Sequence, residues 1–466
     1  MSSDDAPGRR KVLAIPAPYG LHPIPLALVL IQGKFFYWTN FSFEQHPLAM
    51  PGLRELYLLV SLVFAASFVL GALYGRRFYP TDLALVGLLL GFNLICATLA
   101  YLNFGQPLPY GILEERRMAS FLSFFVLLYA IERFRISPEA LVSSILVAAA
   151  IYLGLGLFLQ TGVLGDLTAR DIPYLDPRKH RILNGVELYM VSIAISLVMV
   201  LRFRAWSYVV PMMVGAMGML LISQTRSSMA VMLLAGTIIF ALSSPTRLVM
   251  FGLGAAGLAV LAVFGGDLLW EAVEFLHGFV VEIFSGGQST NSPAEITLED
   301  SVRTHTASVI LSELWKNGWM GMGSLSLQWN GGFHSVYDPH FFLTDVGMLG
   351  EFYRFGMLLP LVYGSFFYLI YCFISPIRDP IGRQVLIGIL VLLVCNAIAG
   401  SGFISLPGEL YALMFAVAAA YRRREALQAR YEPMRQVEQL PGGGAQAEPI
   451  TSFDQEAASG PPNRAS

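Results

Sequence analysis

The stretch Leu56-Tyr-Leu-Leu-Val-Ser-Leu-Val-Phe-Ala-Ala-Ser-Phe-Val-Leu-Gly-Ala-Leu-Tyr74 carries no charged side chain, and Arg76-Arg77 follows one glycine later. A helix of that length rises about 28 Å, close to the ~30 Å hydrocarbon core of a bilayer. The pattern recurs along the chain. Reading apolar runs against breakers predicts an all-α, polytopic integral membrane protein of about 12 transmembrane helices. They fall at roughly 18–38, 56–74, 82–102, 118–131, 139–160, 185–201, 206–222, 226–242, 247–265, 356–375, 384–400 and 405–421.

Composition agrees with this reading. Of 466 residues, 55% are apolar and 13% charged, and 30 basic against 32 acidic side chains leave a net charge of −2. A soluble domain carries about a quarter charged residues. The balance excludes a disordered polyelectrolyte and a basic nucleic-acid binder, so no nucleic-acid partner is expected. Cys96, Cys372 and Cys395 all sit inside apolar runs without metal-ligand spacing and read as small apolar residues.

Lysine and arginine set the expected orientation. With the N-terminus in the cytoplasm, the short inner loops hold Arg76-Arg77, Arg133 with Arg135, Arg202 with Arg204, Arg247, and Arg378 with Arg383. The last span ends in Arg422-Arg423-Arg424, so both termini are expected to be cytoplasmic. Arg9-Arg10-Lys11 precedes the first run without a convincing small-residue cleavage site, which reads as an uncleaved first helix. Phe35-Phe36-Tyr37-Trp38 ends that helix as an interfacial aromatic belt.

One outer segment, 266–355, is far larger than the rest. Residues 267–284 set Leu268, Trp270, Phe275, Phe279 and Ile283 among acids, an amphipathic helix pattern. A second such helix is predicted over 299–316, opened by the capping-box-like Thr297-x-x-Asp300. The linker Ser285-Gly-Gly-Gln-Ser-Thr-Asn-Ser-Pro293 lies between them. The domain organisation is thus a membrane domain, 1–425, and a Gly-, Pro-, Gln- and Glu-rich cytoplasmic tail, 426–466, expected to be disordered.

The polar chemistry is concentrated outside. No charged residue falls at the middle of a confident span, which disfavours a proton-coupled transporter or channel. Six of seven histidines, His46, His180, His277, His305, His334 and His340, are predicted on the outer face. They fit either interfacial placement or an outward-facing site with a titratable base. His334 and His340 flank Tyr337-Asp338-Pro339 just before the chain re-enters the membrane. Arg226 opens the eighth span at the outer surface and reads either as a ligand-holding arginine or as one snorkelling to headgroups. Arg303 stands beside His305, with a surface pair to Glu299 as the alternative. Arg354, three residues from Glu351, reads as a local ion pair. Arg178-Lys179-His180-Arg181 is an unusually basic outer patch.

Three segments resemble the O-antigen ligase/polymerase superfamily of Wzy-type polymerases and lipid A-core ligases. Leu221-Ile-Ser-Gln-Thr-Arg-Ser-Ser-Met-Ala230 resembles its "SR-small-small" helix start. Arg303 leading to Leu314-Trp-Lys-Asn-Gly-Trp-Met-Gly-Met-Gly-Ser324 resembles its loop arginine, helix and "P-x-x-G-x-G". Gly347-Met-Leu-Gly-Glu-Phe-Tyr-Arg-Phe-Gly-Met357 resembles its "E-x-G-x-x-G" re-entry. Together they cover about residues 215–375, and the first half resembles the family only in hydropathy. Where the family has His-Asn before the re-entry, this chain has Asp345-Val346, with His340 and His334 earlier.

The resemblance implies transfer of a glycan from undecaprenyl diphosphate to an acceptor sugar hydroxyl on the periplasmic face of a bacterial inner membrane. Arg226 and Arg303 are then the candidate diphosphate-binding residues, because a guanidinium makes bidentate, always-charged contacts with phosphate. Arg178, Lys179 and Arg181 are candidate secondary anion contacts. His340, then Asp345 and His334, are candidate bases for the acceptor hydroxyl. No metal or other cofactor is expected. The expected partners are the lipid-linked glycan, its acceptor, membrane lipid and, by resemblance, a chain-length regulator. The leading reading is a polymerase joining repeat units of an exopolysaccharide or O-antigen. A ligase moving finished glycan to lipid A-core or protein is the alternative, and a lipid-linked glycan transporter is the alternative of another class.

Overall fold

The computed structural model describes residues 22–33, 53–74, 79–115, 120–160, 185–223, 226–249, 293–326, 328–337, 341, 343–399 and 408–438. These are helical throughout, apart from turns and one antiparallel bridge between Met320 and Gly356. In chain order the helices are α1 (Pro23–Gln32), α2 (Leu53–Leu73), α3 (Pro80–Phe104), α4 (Leu108–Glu114), α5 (Ser123–Phe134), α6 (Pro138–Gln160), α7 (Val186–Phe203) and α8 (Val209–Met217). There follow α9 (Arg226–Leu242), α10 (Pro293–Lys316), α11 (Phe333–Val336), α12 (Met348–Phe355), α13 (Leu359–Ile374), α14 (Pro380–Ala399) and α15 (Gly408–Glu438).

Six of the described helical stretches are long and apolar enough to cross a membrane: Leu56–Leu73, Pro80–Phe104, Pro138–Phe158, Val186–Phe203, Trp206–Ser223 and Pro380–Ala397. Pro23–Gln32, Ser228–Leu242 and Leu359–Ile374 are shorter apolar helices. The chain is therefore an all-helical membrane protein. Most of the span expected at 247–265, and the amphipathic pattern at 267–284, lie outside the described residues.

Proline opens several helices for one physical reason. At the first helical position the missing N–H has no intrahelical partner to lose. Pro80, Pro138 and Pro380 stand at that position of α3, α6 and α14. The same preference corrects the start expected for the helix over 299–316. That helix begins at Pro293, so Thr297 lies inside it and does not cap it. The last helix runs on to Glu438, past Ala426, where composition predicts the irregular tail to begin. Residues 423–466 form a compact unit distinct from residues 1–422.

The bundle core is aromatic where α5, α13 and α15 meet. Phe121, on the turn preceding α5, stacks on Tyr411 with ring centroids 4.7 Å apart, and Phe373 meets Phe415 at 4.6 Å. Between α1, α2 and α5 buried polar groups pair with one another, which offsets the cost of their burial. Gln32 Nε2 donates to Ser123 Oγ at 2.9 Å, and Tyr57 donates to Gln32 Oε1.

The packing fixes which helix ends lie together. At one end Arg422 meets Asp82 beside the start of α3, and Tyr421 packs on Gly382 near the start of α14. Farther along α14, Gly388 packs on Val198 of α7, and Arg202 at the end of α7 donates to the carbonyl of Leu242 at the end of α9. The C-terminal end of α3 and the first residue of α9, Arg226, therefore lie at the opposite end. Arg378 falls just before α14, so it lies at the first end with Arg422.

Candidate functional site

Described residues of the segment 293–358 build a small subdomain with its own core. Ile310 and Leu314 of α10, Met322, Phe341, Leu343 and Tyr353 are buried together. Removed from water, each such side chain contributes about 1.5–3 kcal/mol. Tyr337 and Tyr353 share a hydrogen bond between their hydroxyls at 2.7 Å. Burial pushes the Tyr337 phenol up to about 12, against the smaller opposing effect of its bond to Tyr353. Burial, then the neighbouring Tyr337, raises Tyr353 further.

A strap of chain from Asn317 to Ser326 binds this subdomain to the end of α3. On one side its backbone pairs with the end of α12. Met322 N donates to Tyr353 O at 2.8 Å, Gly323 N to Arg354 O at 3.0 Å, and Met357 N to Trp319 O at 3.0 Å. On the other side it lies against α3. Gly323 has φ +77°, and a Cβ there would come within 2.3 Å of Ala100 N and 2.4 Å of Cys96 O. Gly356, at φ +55°, is in equal contact with Gly321 N at 2.3 Å. Glycine is needed at both positions for conformation and for space. The two glycine-rich segments singled out in the sequence thus pack on each other.

Side chains in the last turn of α3 and just after it complete the attachment. Asn103 Nδ2 donates to Gly321 O at 2.9 Å, and its Oδ1 accepts from Asn317 Nδ2 at 3.0 Å. Gln106 uses both ends of its amide, donating to Ser324 O at 3.0 Å and accepting from Ser326 N at 2.7 Å. Ser324 Oγ donates to Glu115 Oε1.

Beneath the strap lies a buried ionic cluster. Arg354 Nη1 stands 3.9 Å from Glu115 Oε2 and 3.9 Å from Glu351 Oε1, with Glu115 3% and Glu351 1% exposed. These are ion pairs beyond hydrogen-bond length. Burial opposes the charged guanidinium, but the neighbouring Glu115 and Glu351 outweigh it and raise its pKa. Arg354 Nε is buried with no hydrogen-bond partner among the described residues. The local Arg354–Glu351 pair expected from spacing exists, and Glu115 joins it from far earlier in the chain. Spacing could not reveal Glu115, Gln106 or Asn103. Their one signal is position, a polar cluster directly after a span expected to end on the outer face.

The candidate residues read from the sequence are distributed as follows. Arg226 is the first residue of α9, three positions after the end of Gly218–Ser223, which winds as a π-helix, a form frequent at functional sites. Arg303 lies on α10 about two turns before Ile310. Asp345 belongs to the 3-10 turn Leu343–Val346, whose Leu343 and Val346 pack in the same core as Ile310. The structure thus draws the segments bearing Arg303 and Asp345 into one subdomain. His334 is exposed on α11, whose Phe333 touches that core. The side chains of Arg226, Arg303 and Asp345, and all of His340, Arg178, Lys179 and Arg181, lie outside the described residues. Among the described residues no three His, Cys, Asp or Glu side chains converge as metal ligands.

Comparison of the chain with protein-family models, with curated proteins and with solved structures finds no match in any of the three.

Proposed function

We propose that the chain is a membrane glycosyltransferase that polymerises undecaprenyl-diphosphate-linked oligosaccharide repeat units on the periplasmic face of a bacterial inner membrane. One observation carries the reading. The subdomain formed by the two glycine-rich segments, with Arg303 on its principal helix, is fastened at the end of the bundle where α9 begins with Arg226. Arginines at such a membrane-facing end suit the diphosphate of a lipid-linked donor. The abundance of apolar helix surface suits its polyprenyl chain.

In the proposed reaction the acceptor hydroxyl oxygen attacks the anomeric carbon of the donor sugar. The bond from that carbon to the diphosphate oxygen breaks, and the diphosphate leaves with the electron pair. Arg226 and Arg303 compensate its charge. The hydroxyl proton passes to a base drawn from His340, Asp345 and His334. A charge-compensated diphosphate is a good leaving group, so the reading requires no metal.

Gel analysis of glycan length in a deletion strain tests this. Loss of the chain should leave single repeat units, restored to polymer by the wild-type protein. Long glycan retained on the carrier lipid would assign a ligase instead. Units trapped on the inner face would assign a transporter. An unchanged ladder would overturn the reading.

A further inference from the structure

At the end of the bundle opposite the subdomain, α7, α9 and α14 leave a crevice between them. Val198, Ile239 and Val391 are among the apolar residues that line it. Gly388 also lines it, and a Cβ on that residue would fall 2.5 Å from Val198 Cγ2, so the α14 backbone is pressed close to α7. Polar groups stand where the helices end: Arg202 one residue before the end of α7, Ser243 directly after α9, and Gln384 in the second turn of α14.

Two guanidinium groups are fixed on consecutive residues of one helix terminus. Arg202 Nη1 donates to Leu242 O at 3.0 Å, and Arg247 Nη1 donates to Ser243 Oγ at 2.7 Å. Arg247 is also held over the Phe240 ring at 4.8 Å. Neither has a carboxylate partner among the described residues. The last carbonyls of α9 carry a fractional negative charge, which two full positive charges exceed. Each guanidinium has five donors, of which these bonds use one, and Arg202 is exposed.

We infer that this crevice is a binding site for an anionic phospholipid. The phosphate sits between Arg202 and Arg247, and an acyl chain lies along the apolar crevice toward Val391. Arg202 at the crevice, Arg247 bound to the next residue of the same helix terminus, and the apolar lining beside them match an amphiphile with a negative head, and basic pockets between spans recognise such headgroups. A free phosphate would leave the apolar part unused, and a neutral lipid would leave the second charge uncompensated. The site is independent of the reaction proposed at the other end.

Native mass spectrometry of the full-length protein, titrated with phosphatidylglycerol or phosphatidylcholine, provides the test. Phosphatidylglycerol should give the tighter adduct. The double substitution Arg202→Gln/Arg247→Gln should weaken it roughly thirtyfold, from about fivefold for each arginine. Arg133→Gln/Arg135→Gln, which removes two charges at the end of α5, should leave it unchanged. Equal binding of both lipids overturns the inference, as does equal loss in both double variants. Competition by millimolar inorganic phosphate as effective as that by added lipid would make this a free-anion site and overturn it too. If Arg202→Gln/Arg247→Gln does not survive purification, Arg202→Gln alone decides in the same way, with a loss of about fivefold expected and no loss overturning the inference.

Discussion

Arg422 Nη2 and Asp82 Oδ1 are 340 positions apart in the chain and 2.8 Å apart in space. The same guanidinium donates to Thr81 Oγ1 at 2.8 Å. It lies over Tyr79 at 4.5 Å and over Phe373 at 4.4 Å. Segments from three parts of the chain therefore close around one buried charge, 5% exposed on the arginine side.

Removing one partner should strand the other. Arg422→Ala is expected to destabilise by about 3–5 kcal/mol, the range for breaking a buried ion pair. Arg422→Met/Asp82→Leu should lose less than the sum of the two single substitutions. Melting in detergent micelles, with all three variants compared, measures this. Additive losses would show that the pair does not couple the two helices.

Gly323→Ala should loosen the strap. The substitution adds positive-φ strain of about 1–3 kcal/mol, together with a contact of 2.3 Å to Ala100 N. Amide hydrogen exchange of Met322 and Gly323, whose N–H groups are bound to Tyr353 O and Arg354 O, should accelerate well before that of α3. Unchanged exchange would mean that the strap does not depend on this approach.

Glu115→Ala should act at the same place through charge. It leaves Arg354 with Glu351 alone and Ser324 without its acceptor. The expected loss is about 3–5 kcal/mol by the same buried-pair reasoning. Limited proteolysis between Lys316 and Arg354 should become faster in Glu115→Ala and less so in Glu115→Gln, which keeps an acceptor for Ser324.

Alkaline pH should open the subdomain. Tyr337 is held near 12, above its unfolded value of about 10. The neutral phenol is the form the fold prefers. Its contribution is complete below pH about 10 and is lost as pH rises through about 12. Phenolate absorbance should therefore show a late-titrating component that becomes smaller in Tyr337→Phe/Tyr353→Phe. An undiminished component would refute the assignment.

Arg226→Lys and Arg303→Lys should each reduce polymer by about tenfold or more at equal protein level. The planar fork is lost while the charge remains, and hydrogen bonds to charged groups contribute about 1.5–3 kcal/mol. Full polymer in both variants would remove the diphosphate role.

The spans were legible because lipid imposes length and charge rules on any helix that crosses it. The limits expected for 82–102, 139–160 and 226–242 lie within a few residues of α3, α6 and α9. The site was legible only in its local parts. Glu351 and Arg354 are one helical turn apart, so spacing alone pairs them. Glu115 and Gln106 reach Arg354 and Ser324 through packing over about two hundred positions, and hydropathy carries no record of such contacts. The start of α10 was missed because Thr297-x-x-Asp300 imitates a cap while Pro293 already stands at a first helical position.

The strap also defines what can be exchanged between sequences of this kind. Asn103, Gln106 and Glu115 belong to the first quarter of the chain, yet their partners Gly321, Ser324 and Arg354 lie in its last third. A chimera joined anywhere between them would mate a lock from one parent with a key from another. Residues 96–115 and 317–356 should be transplanted as one inherited block, and a substitution in either should be judged against its counterpart in the other.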